Sequence, residues 1–242
     1  MESTPHGWKI FDADIPILTY SYSFGPGTAN ALAVGVAPGL VIVSPPYRVP
    51  ESAFEELRQY GPVRALIASN AFHHMGIPEW KSRFPHAAVF APAQSVARVE
   101  RQTKLHGILP LSEAAAIAGP DLELIDMPHY RTGEVLVRIK SHRGVVWYVT
   151  DLILNIRVLP RNLFLNILFR LTGSAPGLRF NKIGPLLMVK DMPALRYWLA
   201  AEYDKAPPRW LIATHGEIAD LEADPEAAGR LFPRRESFMR SS

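Results

Sequence analysis

Apolar positions in this chain come in short runs bounded by turn residues, and the runs change character along its length. Ile17-Leu18-Thr19-Tyr20-Ser21-Tyr22 and Ala31-Leu32-Ala33-Val34-Gly35-Val36 read as neighbouring strands joined through Gly25-Pro26-Gly27. Leu40-Val41-Ile42-Val43-Ser44 follows the turn Pro38-Gly39 and completes a meander. Glu51 to Tyr60 then carries Phe54 and Leu57 at i, i+3 spacing, the mark of a short amphipathic helix. Val63-Arg64-Ala65-Leu66-Ile67 is a buried strand by its length and flanks, and Ile77 to Phe84 is a helix with Pro78 in its first turn. Ala87-Ala88-Val89-Phe90 predicts a strand and Ala93 to Gln102 a polar-faced helix. Leu122 to Met127, Val135 to Ile139 and Val145 to Thr150 form a second run of strands. A helix around Met192–Tyr203, a strand Trp210-Leu211-Ile212-Ala213-Thr214 and a charged helix from Asp220 onward close the chain.

Both halves thus run strands first, then strand and helix in alternation, then a helix. Two sheets packed face to face with helices outside satisfy that order. With no residue-level repeat and no low-complexity linker, one α/β domain over residues 1–242 is expected.

Composition narrows the function classes. Hydrophobic residues at 48% and charged residues at 20% describe an ordinary globular chain. A net charge of +3, from 26 Lys+Arg against 23 Asp+Glu scattered along the sequence, gives no basic stripe for nucleic acid. The absence of cysteine excludes a disulfide framework and any thiolate metal site, so a metal would need imidazole and carboxylate. Met1 to Lys9 shows no signal-peptide pattern, and no apolar run approaches the ~18 residues of a spanning helix, so a cytoplasmic protein is expected.

The candidate chemistry sits where apolar runs end. His73 and His74 lie on the loop between the 63–67 strand and the 77–84 helix, a place where α/β proteins put ligands. His129, Asp151 and His215 each follow an apolar run of their own. Ser69 lacks a Gly-x-Ser-x-Gly elbow and is a poor nucleophile candidate. His6, His86, His106 and His142 have no such context and are expected on the surface.

Element order and these loops together resemble the metallo-β-lactamase superfamily, whose central motif is H-x-H-x-D-H-x-G after a buried strand. Set on Gly76, the motif places its last histidine on His74 and its aspartate on His73, while its first two histidines fall on Ser69 and Ala71. Pro128-His129-Tyr130-Arg131-Thr132-Gly133 is similar to the family's P-G-H-T turn. Val145 to Leu152 resembles the strand ending in its bridging aspartate, and Thr214-His215-Gly216 its terminal G-H-G. The resemblance spans residues 17 to 218 and implies a four-layered αββα sandwich.

It also implies a metal site. His73, His74, Asp151 and His215 would fill the second of the family's two metal positions, offering three nitrogens and one carboxylate. The first position keeps only His129. One divalent metal is therefore expected, zinc first, then iron or manganese, and it would lower the pKa of a bound water toward ~7. His129, unligated, would act with Asp151 in catalysis as a base or substrate contact. If all four groups ligate tetrahedrally, no open position remains and the site is structural.

Two functions stand open. One is a divergent, mononuclear metal-dependent hydrolase of a small ester, lactone or thioester. The other is a member of the fold that has lost its metal and serves in ligand or partner binding. The apolar stretch at about 157–190, placed after Asp151 like the pocket-shaping insertions of the family, has four readings. It would be a lid, a homodimer contact through 159–188, a core helix with basic ends, or a peripheral membrane contact suited by Arg157, Arg161, Arg170 and Arg179.

Overall fold

The structure, a computed structural model, describes residues 1–24 and 27–232, with all their side chains except those of residues 185 and 186. The turn expected at Gly25-Pro26-Gly27 falls largely outside the described residues, as does the end of the chain beyond 232.

The first sheet follows the chain. Its strands are β1 (Glu2–Ser3), β2 (Trp8–Asp12), β3 (Ile17–Ser23), β4 (Thr28–Val36), β5 (Gly39–Val43), β6 (Val63–Ile67), β7 (Ala88–Ala91) and β8 (Leu109–Pro110), in that spatial order. Pairing is antiparallel up to β5 and parallel from β5 to β8. The switch comes where the connections become helical: α1 (Glu51–Leu57), α2 (Ile77–Arg83) and α3 (Val96–Thr103). A parallel neighbour needs such a crossover. A short α4 (Ala115–Ala118) leads to the second sheet.

That sheet contains β9 (Leu122–Asp126), β10 (Val135–Ser141) and β11 (Gly144–Val149). A separate ribbon of β12 (Ile153–Ile156) and β13 (Gly177–Phe180) follows, enclosing α5 (Leu163–Thr172). After α6 (Gly184–Met188) and α7 (Met192–Lys205), β14 (Trp210–Ala213) joins β11 in parallel and β15 (Ile218–Asp220) pairs with β14. The second sheet therefore runs β15-β14-β11-β10-β9, and α8 (Pro225–Leu231) lies beyond it. The charged helix expected from Asp220 begins later because Asp220–Ala223 is spent on strand and turn; Asp224 caps α8 by accepting from the Ala227 N–H.

The period of two along each strand sorts the side chains into layers. Ile17, Leu32, Val34, Val41, Val43, Ala65 and Ile67 share one apolar cluster with Val135, Val137, Ile139, Val146, Tyr148 and Ile212, so these faces meet between the sheets. The alternate residues Leu18, Ala33, Leu40, Ile42 and Leu66 pack against Phe54, Leu57, Ile77, Trp80 and Val99 of α1 to α3. On the far side, Leu136, Trp147, Val149 and Leu211 pack against Leu195, Leu199 and Leu231 of α7 and α8. Helix, sheet, sheet, helix: the architecture is an αββα sandwich.

The α5 helix departs from the reading of a core helix, because none of its residues is buried. Its ends are secured locally instead. The Asn162 side chain accepts from the Leu165 N–H, and Gly173 closes the other end in the left-handed region at φ +67°. Among the described residues no helix is long and apolar enough to cross a membrane.

Candidate metal centre

One end of the sandwich gathers the polar chemistry. The loop after β6 brings His73, the turn after β11 brings Asp151, and the turn after β14 brings His215. Asp151 Oδ1 stands 3.4 Å from His73 Nε2 and 3.2 Å from His215 Nε2. The three donor atoms lie within 4.8 Å of one another, and among the described residues they form the one group of this kind. The rings of His73 and His215 are 5.4 Å apart, and all three side chains are only slightly exposed.

The arrangement is built by hydrogen bonds from remote segments. His215 Nδ1 lies 2.9 Å from the Thr28 carbonyl; a proton on Nδ1 donated there fixes the ring and aims Nε2 at Asp151. Asn30, two residues on, clamps the same turn: its amide donates to the carbonyls of Ala213 (3.0 Å) and Gly216 (2.7 Å). Between the sheets, Tyr148 donates to the Asn30 carbonyl at 2.9 Å and accepts from the Thr214 hydroxyl at 2.7 Å.

Asn70 does the equivalent on the other side. Its Oδ1 accepts the backbone N–H groups of Phe72 (2.8 Å) and His73 (3.0 Å), which shapes the histidine loop. Its amide divides between Asp151 Oδ2 (2.7 Å) and Glu134 Oε2 (2.9 Å). Glu134 is fully buried, and its Oε1 accepts from the backbone N–H groups of Thr150 (3.1 Å) and Asp151 (2.8 Å). Asn70, Glu134, Thr28 and Asn30 were not singled out by the sequence. Glu134 alone carried a signal, a carboxylate abutting the apolar run Val135-Leu136-Val137.

Electrostatics follow from this crowding. Burial opposes the charge on Asp151, but the neighbouring His73 and the hydrogen bonds from His215 and His73 outweigh it and hold the carboxyl well below the usual carboxylate range. Burial pulls His215 down, yet Asp151 and the Thr28 carbonyl leave it raised above an ordinary histidine. Glu134 goes the other way: burial and the Asp151 charge push it up to about 8, against the bonds from Asn70, Asp151 and Thr150.

The remaining expected site residues are not members of this three-donor group. His74, next to His73, turns Nδ1 to the Ala71 carbonyl at 3.0 Å; burial, with Arg98 and His73 nearby, lowers its pKa. The three-donor group does not include it. His129 is exposed, in the left-handed region at φ +65°, and its carbonyl accepts from the Lys190 N–H. Ser69 and Ala71 are buried, with the Ser69 hydroxyl paired to Ser44 at 2.6 Å rather than to a histidine. His6, His86, His106 and His142 are exposed.

Two imidazole nitrogens and one carboxylate oxygen, with at least one tautomer set from behind, fit a divalent cation of zinc type with a coordination position left over. Two of the three donors, Asp151 and His215, open on a cavity of about 710 Å³. Leu154, Ile156, Leu165, Leu168, Phe169 and Met188 supply most of its apolar lining, and Asn155, Arg157, Asn181 and Glu217 also face it.

Gly216 locks this end of the molecule. It sits at φ +118°, where side chains are strained, and a Cβ there would run into the carbonyl oxygen of Asn155. Gly216→Ala is therefore expected to cost about 2–4 kcal/mol and to displace His215. A thermal melt checks it: a midpoint within about a degree of the parent would show that the turn has another path open.

The fold and the strand-end cluster together define a class: an αββα sandwich with an imidazole–carboxylate group where its two sheets meet. Among solved structures, that sandwich is the metallo-β-lactamase fold. The chain matches a metallo-β-lactamase from Erythrobacter litoralis carrying β-mercaptoethanol in its active site, with TM-score 0.62 and 16% identity over 98% of this chain and 99% of that one. It matches FIM-1 from Pseudomonas aeruginosa in its mono-zinc form with TM-score 0.61 and 16% identity over 99% of both chains. The enzyme from Pontibacter korlensis gives TM-score 0.56 and 12% identity over 94% of this chain and 99% of that one. No protein-family model and no curated protein matches the sequence.

Proposed function

We propose that this chain is a metal-dependent hydrolase with a single metal, zinc first, held by His73, Asp151 and His215, acting on an ester, thioester or lactone of a hydrophobic acid. The observation that carries it is the convergence of those three donors, two of which line a cavity whose surface is largely apolar. The mono-zinc form of FIM-1 supports a one-metal reading on the same fold.

A bound divalent metal supplies Lewis acidity, polarising a carbonyl and making water acidic near neutral pH. The chain's own residues do the rest. Asp151 brings the negative charge that draws a cation, and Asn70 and Glu134 hold it in place from behind. The Thr28 carbonyl keeps the His215 proton on Nδ1, away from the donor side. Leu165, Leu168 and Phe169 take the acyl part of the substrate and exclude water around it. His74 and His129 stay outside the donor set in this reading.

Elemental analysis of protein purified without a metal-affinity tag, after zinc, iron or manganese supplementation, tests the proposal. About one equivalent of metal is expected, and less than about a tenth would favour a non-catalytic binding role instead. With p-nitrophenyl esters of increasing acyl length, kcat/KM should rise by up to roughly fourfold per methylene until the cavity is full. A flat series in metal-loaded protein would remove the hydrophobic-acid substrate.

A further inference from the structure

The helix that walls the cavity has a second apolar face, and nothing among the described residues covers it. Leu165, Leu168 and Phe169 of α5 turn toward the cavity. Leu163, Phe164 and Leu171, which do not line it, are 72–81% exposed; Ile167 between them is 47% exposed. Scattered exposed leucines are ordinary, but four large exposed side chains on one ten-residue helix form a contact surface.

Charge identifies what it contacts. Between Asp151 and Asp191 the chain has six basic residues, Arg157, Arg161, Arg170, Arg179, Lys182 and Lys190, and no Asp or Glu. All six are exposed. The rest of the chain carries 20 Lys+Arg against 23 Asp+Glu, so this stretch supplies the whole positive balance of the protein. Only Arg157 among them forms an ion pair within the described residues, with Glu217 at 3.0 Å. A second copy docking face to face would set these cations against one another, whereas an anionic lipid surface matches both the apolar face and the cations nearest to it in the chain, Arg161 just before α5 and Arg170 on it.

We propose that α5 seats this protein on an anionic membrane surface, with Leu163, Phe164, Ile167 and Leu171 entering the acyl boundary and the basic residues among the headgroups. The helix then stands between lipid and cavity, its other face lining the site's apolar wall. Docking does not depend on the hydrolase reading, since it is measured without turnover and elemental analysis tests the metal separately.

Sedimentation of the full chain with vesicles is the test, comparing phosphatidylcholine alone with phosphatidylcholine containing phosphatidylserine. Binding is expected to the mixed vesicles only and to weaken as salt is raised, because each basic residue near the headgroups is worth about fivefold in affinity and is screened by ions. Phe164→Ser with Leu171→Ser should reduce the partition coefficient roughly tenfold or more while leaving the melting midpoint unchanged, since both side chains are already exposed. Arg161→Glu with Arg170→Glu should do the same through charge. Failure to bind either vesicle, equal binding to both, or a dimer in sedimentation equilibrium that the Phe164→Ser pair dissolves without any vesicle binding would each overturn the proposal.

Discussion

Asn70→Ala is expected to destabilise the protein by about 3–5 kcal/mol, because one small side chain satisfies two backbone donors and bridges two carboxylates inside the fold. Truncation leaves the Phe72 and His73 N–H groups without their acceptor and removes the donor that stands between Glu134 and Asp151. Asn70→Asp keeps the acceptor but sets a third carboxylate 2.7 and 2.9 Å from the other two, so it should be at least as damaging. Urea unfolding distinguishes these outcomes. A loss below about 1 kcal/mol for Asn70→Ala would mean that water replaces the amide and that the loop is shaped by other contacts. In the metal-loaded protein the same substitution should weaken metal binding by roughly 10–100-fold, the usual effect of losing a partner that orients a ligand.

His215→Ala is the second large effect. It deletes one of the three convergent donors, and the outcome should exceed what loss of an orienting partner does: metal affinity falling by more than about a hundredfold. Competition with a chromophoric chelator measures it, with His74→Ala as the comparison. His74 lies outside the three-donor group and is tied to the Ala71 carbonyl, so its replacement should change affinity far less. Full metal occupancy in His215→Ala, or equal losses in both variants, would show that the ion is held by a different set.

The exposed face of α5 shows why a sequence pattern leaves its occupant open. A helix apolar around most of its circumference asks to be covered. The sequence of Leu163 to Leu171 is the same whether the cover is core, lid, partner or lipid. The tertiary structure removes the core reading, since the helix rests on a cavity rather than in a packed layer.

What the chain determined by itself was the sandwich. Period-two runs such as Val63 to Ile67 assign alternate side chains to opposite faces of a sheet, and helical spacing such as Phe54 and Leu57 assigns the outer layers. These are local properties, readable wherever the chain is read. The strand-end positions of His73, Asp151 and His215 were readable for the same reason. Which of the candidate donors meet was decided only in three dimensions. His215 is oriented by the carbonyl of Thr28, 187 residues away, and Asp151 by Asn70, 81 residues away, which itself leans on Glu134. Neighbouring histidines on one loop diverged because the His73 backbone N–H donates to Asn70 Oδ1 while the His74 ring turns Nδ1 to the Ala71 carbonyl, a difference of loop shape and rotamer that adjacency in the sequence does not encode.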